Sequence, residues 1–286
     1  MEIGIGLPST LRGAGRGELL EWARRAEARG FSTLGTIDRI VYPNHDPLIA
    51  LAAAAAVTER IRLATTILVA PARANGAVVA KQAATLHALS RGRLVLGAAV
   101  GGREDDYAAC GVPFGRRGRI FDEMLARWER IWSGEDFGVA GAIGPEAPGG
   151  RPRVIIGGTA DAAFARAARH GDGWTAGNET PERFAQGRER AIAAWEAAGR
   201  DGAPHTIAQP YFALGERAGE AADRYLRDYY GHLGSYADWA VERAATDVAT
   251  VRRDVREFAA AGCHELIFFP CDADPEQVDL LADAIA

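Results

Sequence analysis

Eight times along the 286-residue chain, a short run of consecutive apolar residues gives way to a segment with helical spacing. The runs are Ile3–Leu7, Thr33–Ile37, Ile61–Val69, Leu94–Ala99, Val154–Ile156, a stretch starting at Trp174, Thr206–Leu214 (broken by Pro210) and Glu265–Phe269. Apolar on consecutive rather than alternate positions, they predict strands covered on both faces, as in a parallel sheet. Strands alternating with helices in this number predict a (β/α)8 TIM barrel, one domain over residues 1–286. An open doubly wound sheet is the competing arrangement. It would carry GxGxxG after the first strand, whereas Gly4-Ile5-Gly6 lies inside that strand and runs into Leu7-Pro8.

The helical segments include Glu18–Arg29, Pro47–Val57, Asn75–Leu89, Arg119–Trp132, Asp161–His170 and Pro181–Ala198. Three follow in succession over Ala218–Gly231, Tyr236–Ala245 and Asp247–Ala261, and Pro275–Ile285 closes the chain. Between residues 133 and 152, glycine and proline recur too often for a helix or strand, which predicts a loop insertion between strands four and five.

A net charge of −5 argues against a nucleic-acid partner. The start MEIGIGLPST has no basic region followed by a long apolar one, and the apolar run at Leu48–Val57 is too short to span a bilayer. Cys110, Cys263 and Cys271 show neither CxxC spacing nor an even count. No membrane partner and a cytoplasmic location are the expectation.

In a barrel of this kind, chemistry gathers at the C-terminal ends of the strands. That filter retains Asp38 and Arg39 after strand two, as an acid/base or ion pair, or else as a capping aspartate beside a surface arginine. His45, in the loop beyond with Tyr42, can move protons near neutral pH, or is merely solvated. Arg103, beside Gly101-Gly102, suits an anion, or is balanced by Glu104, Asp105 and Asp106. Gly157 and Gly158 let a ligand approach the backbone, and Thr159 sits in an N-cap-like position before the helix from Asp161. Such a helix start suits a phosphate, although an ordinary strand–helix turn has the same residues. Asn178, Tyr211, Cys271 and Asp272 also follow or end strands. HExxH, P-loop and GxSxG motifs are lacking, and no metal site is suggested by ligand spacing. Anion-holding loops with little proton-transfer machinery point to an organic cofactor as the carrier of the reaction.

Four blocks in order carry a family resemblance: WARRAEARGFSTLGTIDR (22–39), DPLIALAAAAAVTERIRLATTILVAP (46–71), AKQAATLHALSRGRLVLGAAVGGREDDYAACGVPFGRRGRIFDEML (80–125) and VIIGGTADAAFARAARHGDGW (154–174). The chain resembles the bacterial luciferase-like superfamily of flavin- and deazaflavin-dependent oxidoreductases. The resemblance implies a (β/α)8 barrel with an insertion, and reduced FMN or coenzyme F420 bound with its ring over the strand ends. It implies a non-prolyl cis peptide at Thr66–Ile67 behind that ring, and phosphate contacts from Arg103, Gly158 and Thr159. Many relatives have a histidine where this chain has Arg39, and arginine cannot shuttle protons at neutral pH. The resemblance therefore leaves proton supply to His45 or Tyr42, with Arg39 orienting an anionic substrate or stabilising a negatively charged flavin.

The activity it implies is a monooxygenase using reduced FMN from a separate flavin reductase, with O2, on a small organic substrate. The alternatives are an F420-dependent reductase or dehydrogenase, with Arg73, Arg91 and Arg93 along the cofactor's tail, and a non-catalytic flavin-binding relative. A homodimer is expected. Substrate choice is expected to lie with the insertion at 133–152 and the loops near 42–46 and 230–246.

Overall fold

The computed structural model describes residues 1–286. The chain runs β1 (Glu2–Gly6), α1 (Arg16–Ala28), β2 (Thr33–Thr36), α2 (Pro47–Ala55), β3 (Arg62–Val69), α3 (Gly76–Leu89), β4 (Leu94–Ala99), α4 (Glu104–Ala109) and α5 (Arg117–Trp132). It continues through β5 (Arg153–Gly157), α6 (Asp161–His170), β6 (Gly173–Thr175), α7 (Pro181–Ala197), β7 (His205–Ala208) and β8 (Tyr211–Phe212). Three helices, α8 (Ala218–Tyr230), α9 (Ser235–Arg243) and α10 (Val248–Ala260), precede β9 (Glu265–Pro270) and α11 (Glu276–Ile285).

All strand pairings are parallel, each strand beside the next, and β9 closes the sheet onto β1. β7 and β8 form one barrel position, because Ile207 faces Glu265 and Tyr211 faces Phe269 in the same register. Gln209-Pro210 separates them, since proline has no N–H for the ladder. Its carbonyl still accepts from Phe269 N at 2.8 Å. The result is a closed eight-stranded (β/α)8 TIM barrel, as the alternation of strands and helices predicts.

Local chemistry sets the helix starts. Asp46 caps α2 by accepting from Leu48 N and Ile49 N, with Pro47 in the first helical turn. Asn75, Thr180 and Asp247 cap α3, α7 and α10 through their side chains in the same way. Helix α4 is an element that residue spacing did not indicate, since its Glu104-Asp105-Asp106 start reads as a solvated charge run.

The main core lies between strands and helices, where Trp22, Trp128, Trp174, Phe184 and Phe258 are fully buried. A second core fills the barrel itself, with Ile155, Ile207, Ile267 and Phe269 inside. Phe269 fits because Gly6 and Gly35 are glycines. A Cβ at Gly35 would lie 2.9 Å from the Phe269 ring, and one at Gly6 would overlap it.

Residues 133–152 join α5 to β5, so they lie at the N-terminal face of the barrel, away from the strand ends that host chemistry. Lys81 Nζ donates to Gly144 O at 3.0 Å, and a Cβ on Gly92, just before β4, would meet Pro148 O at 2.8 Å. Their expected part in substrate choice is corrected accordingly. What rises over the opposite face is the pair α8–α9, inserted between β8 and α10.

Candidate active site

At the C-terminal ends of β2, β3, β4, β6 and β8 lies a cavity of about 200 Å³. Asp38, Arg39, Thr66, Ile67, Asn178 and Tyr211 all line it. The Thr66–Ile67 peptide bond is cis, at the position the family resemblance implies. The β3–β4 register shifts between Thr65 and Leu68, across this bond.

Asp38 does not pair with its neighbour Arg39. It is fully buried and accepts from Val69 N (2.9 Å) and from Arg73 Nη2 (2.9 Å). Burial pushes its carboxyl up from the ordinary value, while the Arg73 guanidinium and the Val69 N–H oppose the rise. Arg73 also reaches Asp46 at 2.8 Å, tying the end of β2 to the cap of α2. Asp38 is thus a fixed brace, and neither a cap nor half of an Asp38–Arg39 pair.

Arg39 turns instead toward Asp106 of α4, with Nε 3.3 Å from Oδ2. Asp106 is held by Ile40 N (3.0 Å) and Val41 N (2.8 Å) on its other oxygen. The Tyr229 ring lies 5.6 Å from the Arg39 guanidinium carbon. Asp106 and Tyr229 are site residues that the sequence reading missed. A buried acid at helical spacing inside an acidic run is the one signal that could have exposed Asp106. The tyrosines of α8 stand at i, i+4 spacing (Tyr225, Tyr229), which reads as ordinary core.

Those tyrosines roof the cavity. Tyr211 and Tyr230 share a hydrogen bond of 2.9 Å between their hydroxyls, and Tyr236 Oη donates to Asn178 O at 3.3 Å. Tyr42 Oη is committed to Asp228 Oδ2 at 2.5 Å, on the outer side of Tyr229. Burial pushes Tyr211, Tyr229 and Tyr230 well up, so all three keep their protons at neutral pH. Tyr229 Oη makes no hydrogen bond within the protein.

The remaining expected residues are placed as follows. His45 is not among the lining residues; it is exposed, and its Nε2 bonds Ala14 O at 2.8 Å, which corrects the view of it as a proton donor to this site. Arg103 sits at the rim, with Nε on Asp105 Oδ1 at 2.8 Å and Nη1 3.4 Å from His232 Nδ1, beyond α8. Gly157 is not among the lining residues; it is buried against Ile67, where a Cβ would lie 3.0 Å from Ile67 Cγ2. Gly158 (φ +126°) and Thr159 are exposed in the next turn. Thr159 is not the cap of α6. Ala160 is, with no side-chain hydrogen bond; Ala163 N donates to Ala160 O at 2.8 Å, and the N–H groups of Asp161 and Ala162 have no partner in the protein. Arg190, also missed, donates to Thr159 O (3.0 Å) and to Asp161 Oδ1 (2.6 Å) on the same turn.

Arg73, Arg91 and Arg93 form no arginine-lined channel. Arg73 is spent on Asp38 and Asp46, Arg91 on Glu59, and Arg93 on backbone oxygens at the N-terminal face, among them Ile61 O.

A closed (β/α)8 barrel with a polar cavity at its C-terminal mouth, beside an uncapped helix start, defines a TIM-barrel protein with a built small-molecule site. The chain belongs to the luciferase-like monooxygenase family, whose model matches residues 1–265. An uncharacterized protein of Mycobacterium tuberculosis is 33% identical over 189 residues, which cover 56% of this chain and 65% of the relative. The chain thus matches somewhat less than two thirds of the length of such curated relatives. The pyrimidine monooxygenase RutA of Pantoea ananatis is 26% identical over 223 residues, 71% of this chain and 59% of that protein. Among solved structures, the monooxygenase RslO1 from Streptomyces bottropensis has a TM-score of 0.80 at 23% identity, covering 100% of this chain and 98% of that one. An F420-dependent secondary alcohol dehydrogenase, in complex with an F420–acetone adduct, has a TM-score of 0.81 at 18% identity, covering 100% and 99%. At such identities these two speak for the fold.

Proposed function

We propose that the protein is a flavin-dependent oxidoreductase, a monooxygenase that uses reduced FMN and O2 on a small organic substrate, with a separate reductase supplying the flavin. The observation that carries this reading is the glycine-lined wall of the cavity. Gly102 and Gly177 line it, and a Cβ at either would meet nothing within 4 Å, so the space a side chain would take is free for a flat ring. Beside that space lie enclosed donors that lack partners, Asn178 Nδ2 and Arg39 Nη2, which suit a polar group next to the ring rather than the ring itself.

In this reading, Thr66, Ile67 and Gly157 back the ring, and the open N–H groups of α6, with Gly158, Thr159, Arg190 and Arg103, hold the phosphate. A bound reduced flavin supplies the electrons for oxygenation. The chain's own part is to orient the substrate, exclude water and hold a proton. Phe269 and the tyrosines of β8 and α8 keep the mouth dry, which strengthens every polar contact inside it. Tyr229 Oη, protonated at neutral pH and free of internal partners, takes the place that His45 and Tyr42 do not fill. Arg39 fixes the charge pattern beside it.

Anaerobic titration with reduced FMN and with reduced F420, followed by a test for O2-dependent turnover, decides the matter. Binding of FMN with O2-dependent product, reduced by Tyr229→Phe without loss of FMN binding, is the expected result. Binding of F420 alone with O2-independent turnover moves the assignment to hydride transfer, the reading that the F420-dependent neighbour suggests. Tight binding without turnover would leave a non-catalytic relative.

A further inference from the structure

Most buried arginines in this molecule are well supplied with acceptors. Arg73 has two carboxylates and Arg93 has several backbone oxygens. Arg39 is different. Its side chain is only 11% exposed, yet its guanidinium donates no hydrogen bond within the protein. Nε and Nη2 are fully enclosed without a hydrogen-bonding partner, and the Asp106 oxygen 3.3 Å from Nε is an ion-pair contact only. The guanidinium is held by Asp106 at Nε and by the Tyr229 ring, and its Nη1–Nη2 edge has no acceptor within the protein.

Two more polar side chains belong to residues that line the same cavity. Asn178 is 6% exposed, with Nδ2 enclosed and unpartnered, and the Tyr229 hydroxyl makes no hydrogen bond within the protein. The walls between them are aromatic, with Tyr211, Tyr230 and Phe269. Donors without acceptors, a cation with a flat bidentate edge, and aromatic walls together describe the complement of one small flat anion.

We infer that the cavity binds a planar single-ring carboxylate, its two oxygens on the Arg39 fork and its ring among the tyrosines, with Asn178 as a further donor. Asp106 is the positioning residue that aims the fork. As a statement about substrate class this rests on the oxidoreductase reading above, but the binding itself needs no cofactor. A tetrahedral anion such as phosphate matches neither the planar fork nor the aromatic walls as well. A neutral amide of the same shape would oppose an N–H to the guanidinium.

The test is calorimetric titration of the full-length protein, with and without FMN, using benzoate, its neutral isostere benzamide, and inorganic phosphate as probes. Benzoate is expected to bind saturably, with benzamide and phosphate weaker by roughly tenfold or more, the discrimination a charge-assisted bidentate contact gives. Arg39→Gln should abolish the preference for benzoate and leave the FMN titration unchanged, and Arg39→Lys should restore part of it. Asn178→Ala should weaken benzoate more than FMN, and carries the test if Arg39→Gln fails to fold by circular dichroism. Equal binding of benzoate and benzamide, or benzoate binding indifferent to both substitutions, would overturn the inference. So would a loss of FMN affinity in Arg39→Gln with benzoate unaffected, which would make Arg39 a cofactor ligand. If neither FMN nor F420 binds while benzoate shows the Arg39 dependence, the carboxylate site stands and the flavin reading falls.

Discussion

A histidine and an arginine at position 39 ask different things of the groups around them. Histidine can carry a charge or shed it near neutral pH, whereas arginine is a permanent cation. Beside Asp106, a permanent cation makes a pair that keeps its charge at every neutral pH. Binding through it should therefore show no titration of its own across the neutral range. Arg39→His converts that property into a measurable one. An imidazole has an ordinary pKa of about 6.5, and the adjacent Asp106 carboxylate raises it by favouring the charged form. Benzoate affinity in the variant is then expected to be retained below the imidazole's raised pKa and lost as pH rises through it. The unsubstituted protein should keep its affinity from about pH 6 to about pH 9, the interval over which arginine holds its charge. Titrations at the two ends of that interval read the difference directly; parallel pH profiles for both proteins would remove Arg39 from anion binding.

The turn between β5 and α6 works as a unit. Gly158 takes φ +126°, a conformation that side chains rarely adopt, and its carbonyl receives the Trp174 indole N–H at 2.8 Å. The turn is thereby anchored to the core, and Gly158 N also donates to Thr175 O at 3.5 Å. In Gly158→Ala the new Cβ would lie 3.1 Å from Ala163 Cβ in a strained backbone region, at a cost of about 1–3 kcal/mol. FMN affinity should fall along with thermal stability. Gly202→Ala provides the control, since Gly202 also has positive φ (+71°) but sits in the α7–β7 loop with nothing near its Cβ. It should lose stability alone, and equal FMN affinity in the two variants would take the α6 turn out of cofactor binding. This element was legible in the sequence to within one residue. The apolar run, the glycine pair and the helix from Asp161 to His170 all stand where the pattern puts them, but the cap is Ala160, because Thr159 lends its carbonyl to Arg190. Asp106 was hidden for a different reason. Three consecutive acids look solvated until a short helix rotates one of them inward, and only the fold decides which one. The insertion at 133–152 was legible as a loop, and its face follows from topology, since a helix-to-strand connection must return to the N-terminal end. The partners of Arg39 and the tyrosine roof were not legible, because they come from α4 and α8, far apart in sequence and joined only by barrel closure.

Barrel closure is itself held by a polar cluster at the face opposite the site. Glu265, at the start of β9, accepts from Ser32 Oγ (2.6 Å), Thr33 Oγ1 (2.5 Å) and Arg62 Nη2 (3.0 Å), joining the last strand to β2 and β3 behind β1. His205 Nε2 lies 3.6 Å away, an electrostatic contact too long for a hydrogen bond. Burial alone would raise this carboxyl, but His205, Arg62 and the two hydroxyls outweigh it and hold the pKa down at about 2. A carboxylate with a depressed folded-state pKa contributes stability that is fully present above its unfolded value and lost as pH falls toward the folded one. For Glu265 that window runs from the ordinary value of 4.5 down to about 2, and the contribution is at most about 3 kcal/mol. Glu265→Gln removes the titration and leaves Arg62 with only Glu2 for a carboxylate partner. Breaking a buried pair in this way destabilises by about 3–5 kcal/mol where the charge left behind is fully enclosed, and by less here because Arg62 is partly exposed. Thermal melts as a function of pH should therefore show a lower melting temperature at pH 7 and a shallower acid limb in the variant, while FMN and benzoate titrations at the far face stay unchanged. An acid limb as steep as that of the unsubstituted protein would mean that other carboxylates govern acid unfolding and that Glu265 is not what ties the barrel shut.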